Sequence, residues 1–137
     1  MSPRAANTGI EMLDREACLA LLQADETGRL AIIDGTRPMI FPVNYVLDGE
    51  DIVIRTAPGT KLDQGPRAAA CFEIDEFDRS HRTGWSVVVS GRLEEVTHYD
   101  AERFAHTSAL PVHPWDSGKK DHIMRLVPSS VTGRRVG

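Results

Sequence analysis

Asp48-Gly49-Glu50-Asp51-Ile52-Val53-Ile54-Arg55-Thr56-Ala57-Pro58-Gly59-Thr60-Lys61-Leu62 contains a turn, a strand, a second turn and a helix start in one run. Asp-Gly suits a tight hairpin because glycine reaches positive φ at little cost. Ile52-Val53-Ile54 is β-branched, stiff at χ1 and suited to a pleated sheet. Pro58-Gly59 turns the chain again, and Thr60-Lys61-Leu62 can open a helix. The N–H groups at a helix start lack partners inside the helix and favour an anion. The Lys61 ammonium adds a point charge with three donors. The hydroxyls of Thr56 and Thr60 can complete a cage that backbone N–H groups begin. The run therefore reads as a phosphate cradle at the end of a strand. It is not a Walker A loop, whose GxxxxGK[ST] spacing is absent.

Working outward, a second Asp-Gly stands at Asp34-Gly35 between two apolar runs. Two such turns predict an antiparallel meander. Strands are expected over residues 28–33, 38–47, 51–55, 67–74, 84–96 and 122–127, with 131–136 a tail or a further strand. A helix is expected over residues 14–22, capped by Asp14, with Ala17, Cys18, Leu21 and Leu22 on one face. A second helix is expected over 99–108. A short one over 61–64 would be stopped by Gly65-Pro66. Residues 75–83 read as a charged loop. Residues 110–120 read as a loop punctuated by Pro111, Pro114 and Gly118. The fold class is mainly β: a split β-barrel of six or so antiparallel strands with short helices. Residues 1–10 form a polar, flexible N-terminal tail, and 11–137 form one domain.

The 137 residues carry a formal net charge of −4 and are 41% hydrophobic and 26% charged, which is ordinary for a globular domain. A nucleic-acid binder would need a basic face. No apolar run reaches the roughly 18 residues of a membrane span. Cys18 and Cys71 sit in apolar contexts and read as buried free thiols, which points to a reducing cytoplasm. The five histidines show no HxH or HxxxH spacing, so no metal is expected.

In their order along the chain, eight motifs resemble the pyridoxamine 5′-phosphate oxidase-like proteins, a flavin-binding split-barrel family. The similarity is to a small actinobacterial-type branch that is also similar to nitroimidazole-resistance proteins. The residues that carry it are Asp14-Arg15-Glu16-Ala17-Cys18, Gly28-Arg29-Leu30-Ala31, Pro42-Val43-Asn44-Tyr45 and the run 55–62. Then follow Phe72-Glu73-Ile74-Asp75, Gly84-Trp85-Ser86, Pro114-Trp115 and Val131-Thr132-Gly133-Arg134-Arg135.

The resemblance implies a homodimer with FMN in two equivalent clefts between the subunits; some relatives use the deazaflavin F420 instead. It implies that the turn from Thr56 through Gly59 and Thr60 to Lys61 holds the phosphate, with Arg55 before it a further candidate for the cofactor site. It implies that Pro42, Val43 and Asn44 line the isoalloxazine through backbone groups, with Trp85 and Ser86 on an adjoining strand. Trp115 and the Arg134-Arg135 end would close the site, from one subunit or the other. The chain is shorter than the pyridoxamine phosphate oxidases and lacks their C-terminal Arg-x-His signature, so the substrate is a small molecule left unnamed.

The residues themselves leave alternatives open. Arg55 faces the cleft or the solvent. Asn44 is a ring contact or a satisfied buried amide, and Trp85 is a ring neighbour or a core residue. Glu73, Asp75, Glu76 and Asp78 form a solvated acidic run or a contact across the dimer. The reading as a whole is an FMN-dependent oxidoreductase. Its rivals are an F420-dependent reductase on the same fold and a non-catalytic flavin- or haem-binding module.

Overall fold

The computed structural model describes residues 9–56, 68–97, 99–112 and 122–137. In chain order these form β1 (Ile10–Leu13), α1 (Arg15–Ala24), β2 (Thr27–Asp34), β3 (Arg37–Asn44), β4 (Val46–Asp48) and β5 (Asp51–Thr56). They continue as β6 (Ala68–Asp78), β7 (Thr83–Val96), α2 (Ala101–Ser108) and β8 (His122–Val136). The described strands make one sheet in the order β3-β2-β6-β7-β8-β5-β4, with β1 added to β8. Every pairing in it is antiparallel. The mainly β fold follows.

The two ends of that order, β3 and β4, are consecutive in the chain with only Tyr45 between them. The sheet must therefore curl until its ends meet, which is a split barrel. Tyr45 sits at the seam, 3% exposed. Its N–H donates to Glu26 O at 2.9 Å and its hydroxyl to Leu22 O at 2.5 Å. Its ring meets Phe72 edge-on, centroids 4.7 Å apart. Both Asp-Gly turns form where the sequence puts them, with Gly35 and Gly49 at φ +65°.

The barrel interior is filled by alternate residues of the long strands, among them Leu30, Ile52, Ile54, Phe72, Val87 and Leu126, and is closed by Cys18 and Leu22 of α1. Asp14 caps that helix, accepting from Ala17 N at 2.8 Å. Val53 points the other way. It joins Val96, Val112 and Ile123 in a second, smaller core, packed against Phe104 and Leu110 at α2. Ile52-Val53-Ile54 is thus buried on both faces, which is why it reads as a continuous apolar run.

Several expectations need correction. The described residues form eight strands, in keeping with the mainly β split barrel of six or so strands; β1 is too short and exposed to show a pattern, and the strand expected over 38–47 breaks at Tyr45. Residues 75–78 are strand and not loop, because they pair with 83–86 across β7. Only 79–82 turn, with Arg82 at φ +53°. Their charges face outward, and polarity alone reads as a loop. The final strand runs unbroken to Val136 despite Pro128. Its register shifts opposite Ser90 and Gly91, a bulge that accommodates a residue without an N–H. A Cβ on Gly91 would lie 2.0 Å from Val127 O, so only glycine fits there. Cys18 is buried as expected, but Cys71 is exposed. The helix expected over 61–64 lies outside the described residues.

Candidate functional site

The site is best approached through the outer surface of the sheet. Cross-strand partners place Ile40, Ala31, Cys71 and Ser90 in one row, and Pro42, Arg29, Glu73 and Val88 in the next. Ser86 follows on β7 beside Asp75, with Arg134 beyond it on β8. Two candidate ring residues, Pro42 and Ser86, therefore share the outer face. Between them stands an ion cluster. Arg29 Nε donates to Glu73 at 3.0 Å, and its Nη2 lies 2.7 Å from Asp75. Burial pushes the Glu73 carboxyl up, and a hydrogen bond from Glu73 holds Asp75 down.

Beside this cluster the same face is apolar and hollow. Ala31, Ile33, Pro38, Ala69, Cys71 and Gly91 line a depression of about 400 Å³. The small side chains of alanine and glycine leave the space open. At its margin Ile33 and Ile40 are 56% and 67% exposed.

The other candidates divide. Val43 is buried in the barrel core, and Trp85 packs against that core from β7. Asn44 closes β3, its Oδ1 accepting from Thr27 Oγ1 at 2.9 Å. Pro42, Val43 and Asn44 lie on β3, which ends the strand order among the described residues, and pair there with Arg29, Gly28 and Thr27 of β2. Arg55 turns toward α2, where its Nη2 donates to Ser108 O at 2.6 Å. Thr56 ends β5 opposite His122. Gly59, Thr60, Lys61 and Trp115 lie outside the described residues.

One polar cluster was missed from the sequence. Arg125 on β8 is 5% exposed. Its guanidinium is ion-paired with Asp48 and with Asp51, the latter at 2.9 Å, and donates to Thr107 Oγ1 at 3.0 Å. His106 Nε2 also reaches Asp48 at 3.0 Å. The donation from Arg125, before that of His106, holds the Asp48 carboxyl below its usual range. A signal was available: Arg125 interrupts the apolar run Ile123-Met124-Arg125-Leu126-Val127, and a charge inside a doubly covered strand needs buried partners.

A model of the family described as pyridoxamine 5′-phosphate oxidase matches residues 14–135. An uncharacterised protein of Mycobacterium tuberculosis is 34% identical over 141 residues, covering 98% of this chain and 90% of that protein. Among solved structures, the FAD binding protein from Mycobacterium smegmatis is 32% identical with a TM-score of 0.78, covering 93% of this chain and 100% of its own. A conserved protein of unknown function from Corynebacterium diphtheriae is also 32% identical, with a TM-score of 0.80 and coverage of 94% and 99%.

Proposed function

This chain belongs to the pyridoxamine 5′-phosphate oxidase family, and on that premise we propose that it is a homodimeric flavin-binding oxidoreductase that uses FMN on a small organic molecule. The observation that carries the reading is the 32% identity with the FAD binding protein over that protein's whole length. The order of features in the chain supports it. Arg55 is the penultimate residue of β5, and Thr56, Thr60 and Lys61 follow it in the sequence. The chain rejoins the sheet at Ala68 on β6, and Ala69 lines the apolar hollow. In the sequence a cationic stretch is followed by a strand that lines an apolar hollow, an order that fits a ligand with a phosphate and a planar ring.

When bound, a flavin supplies hydride chemistry; the protein supplies position, electrostatics and exclusion of water. Thr56, Thr60 and Lys61 would hold the phosphate. The backbone at Pro42, Val43 and Asn44 would orient one ring edge, with Ser86 and the Arg29–Glu73–Asp75 cluster on the same face. Among the described residues of one chain nothing covers the hollow. A second copy docked on this face by a two-fold axis would cover both hollows at once. Such an interface should bury roughly 2,000 Å² or more, as obligate dimers do. Trp115 and Arg134 are our candidates for closing the site.

The test is what copurifies. Two absorption bands in the near-UV and blue, with FMN released on denaturation, would support the reading. One band would indicate F420, and FAD mass in the released fraction would correct the nucleotide. A colourless protein that takes up none of the three in titration would sink it. Steady-state oxidation of NADH or NADPH with common acceptors separates an enzyme from a binding module.

A further inference from the structure

Three consecutive residues in the last turn of α2 each hold a different part of the β4–β5 hairpin or its neighbour. His106 bonds Asp48 at 3.0 Å, Thr107 accepts from Arg125 at 3.0 Å, and the carbonyl of Ser108 accepts from Arg55 at 2.6 Å. Arg125 in turn grips Asp48 and Asp51. Thr107 is 1% exposed, so its hydroxyl has no access to bulk water. The last carbonyls of a helix have no partner within it and carry the negative end of its dipole. Ser108 O is therefore a strong acceptor for a guanidinium.

These contacts fasten β5 at both ends. Asp51 opens the strand and is held through Arg125. Arg55 is its penultimate residue and is held by Ser108. A guanidinium presents five N–H groups in a rigid plane. When one is fixed on Ser108 O, the direction of the rest is set by where the last turn of α2 sits. Arg55 is also the residue from which the chain leads into Thr56.

We infer that the last turn of α2, locked by the Thr107–Arg125 contact, positions the Arg55 guanidinium for the phosphate of the bound cofactor. Thr107, Ser108 and Arg125 are then positioning residues, and Arg55 is the group they aim. The inference rests on the phosphate-cradle reading above.

The test compares FMN with riboflavin, which has the ring and no phosphate. The ratio of their dissociation constants measures what the phosphate site contributes. It is measured for the wild type and for Lys61→Ala, Arg55→Lys, Thr107→Val and Thr107→Ser. Thr107→Val keeps shape and removes the acceptor; it should lower the preference for FMN by roughly five- to tenfold, the worth of one hydrogen bond. Arg55→Lys should lower it at least as much, because an ammonium lacks the planar fork. Thr107→Ser should keep it. Should Thr107→Val fail to fold, Arg125→Lys carries the same expectation, since it keeps a charge between Asp48 and Asp51 and loses the fork. If Lys61→Ala lowers the preference while Thr107→Val or Arg125→Lys leaves it at the wild-type value, or weakens both ligands equally, α2 is a structural prop only and the inference fails. If Lys61→Ala leaves the preference unchanged, the cradle reading falls first.

Discussion

The outer surface of the barrel has two halves that solve the same problem differently. Over β5 and the start of β8, α2 covers the sheet: Val53, Val96 and Ile123 are buried, and the one charge among them, Arg125, has two carboxylates and a hydroxyl. Over β3, β2 and β6 no described element covers it, and Ile33 and Ile40 stand exposed beside a floor of alanines. Among the described residues the first half is covered and the second is not. Burial with satisfied polar groups belongs to structure. An apolar face left open on a small domain belongs to association or ligand binding.

The contrast breaks hardest at Arg125. Arg125→Met keeps length and apolar bulk but leaves Asp48 and Asp51 facing each other without a cation. The two carboxylates left behind are partly exposed, so the cost should be about 2–3 kcal/mol, below that of a fully buried pair. Urea unfolding would read it directly. A loss below about 1 kcal/mol would mean that the covered half is held by its apolar core alone.

The seam gives the next largest effect. Tyr45→Phe keeps the edge-on contact with Phe72 and removes only the hydroxyl bonded to Leu22 O. That carbonyl lies in the last turn of α1, which spans Arg15–Ala24, so it loses a partner that the helix does not replace. The cost should be about 1–2 kcal/mol in urea unfolding. An unchanged midpoint would show that water takes over the carbonyl and that the seam is wetter than its burial implies.

Acid should sharpen the account of the covered half. Arg125 holds the Asp48 carboxyl below its ordinary value of 3.8. A depressed carboxyl contributes stability that is present above the unfolded value and lost as pH falls through the folded one. The stability difference between the wild type and Asp48→Asn should therefore stay level from neutral pH down to about 4, then shrink as the solution becomes more acid. A difference that grows in acid would contradict the pairing.

The fold was legible because its strongest signals are local. Gly35 and Gly49 supply the positive φ of their turns, Asp14 caps α1, and alternation marks β7. What was not legible depends on partners distant in sequence. Residues 75–78 look like a loop until their pairing with 83–86 is known. Nothing local says that Tyr45 parts two strands on opposite ends of one sheet. Of the candidate site, Pro42 and Ser86 meet on one face only because two intervening strands bring them there. Arg55 could have faced cleft or solvent on alternation alone; its observed bond to Ser108 O depends on α2, 53 residues later. The Arg125 cluster is not legible because a single charge in a strand shows no sign of which carboxylates will reach it.

The smallest effect on folding should come from the open half, and it is the one that decides what that half is for. Ile40 is 67% exposed and lies opposite Ala31. A surface substitution away from special contacts changes stability by no more than about 0.5 kcal/mol, so Ile40→Lys should fold as the wild type does. In a two-fold interface each copy would place its residue 40 against the other's surface, so one substitution introduces two ammonium groups into an apolar contact, where unpaired charge is strongly disfavoured. Light scattering at micromolar concentration should show the wild type at twice the chain mass and Ile40→Lys at the chain mass. FMN affinity should fall with the dimer if the partner completes the site. A wild type that is monomeric with FMN bound would leave the open face to the ligand alone. A variant that stays dimeric would move the interface to another part of the molecule.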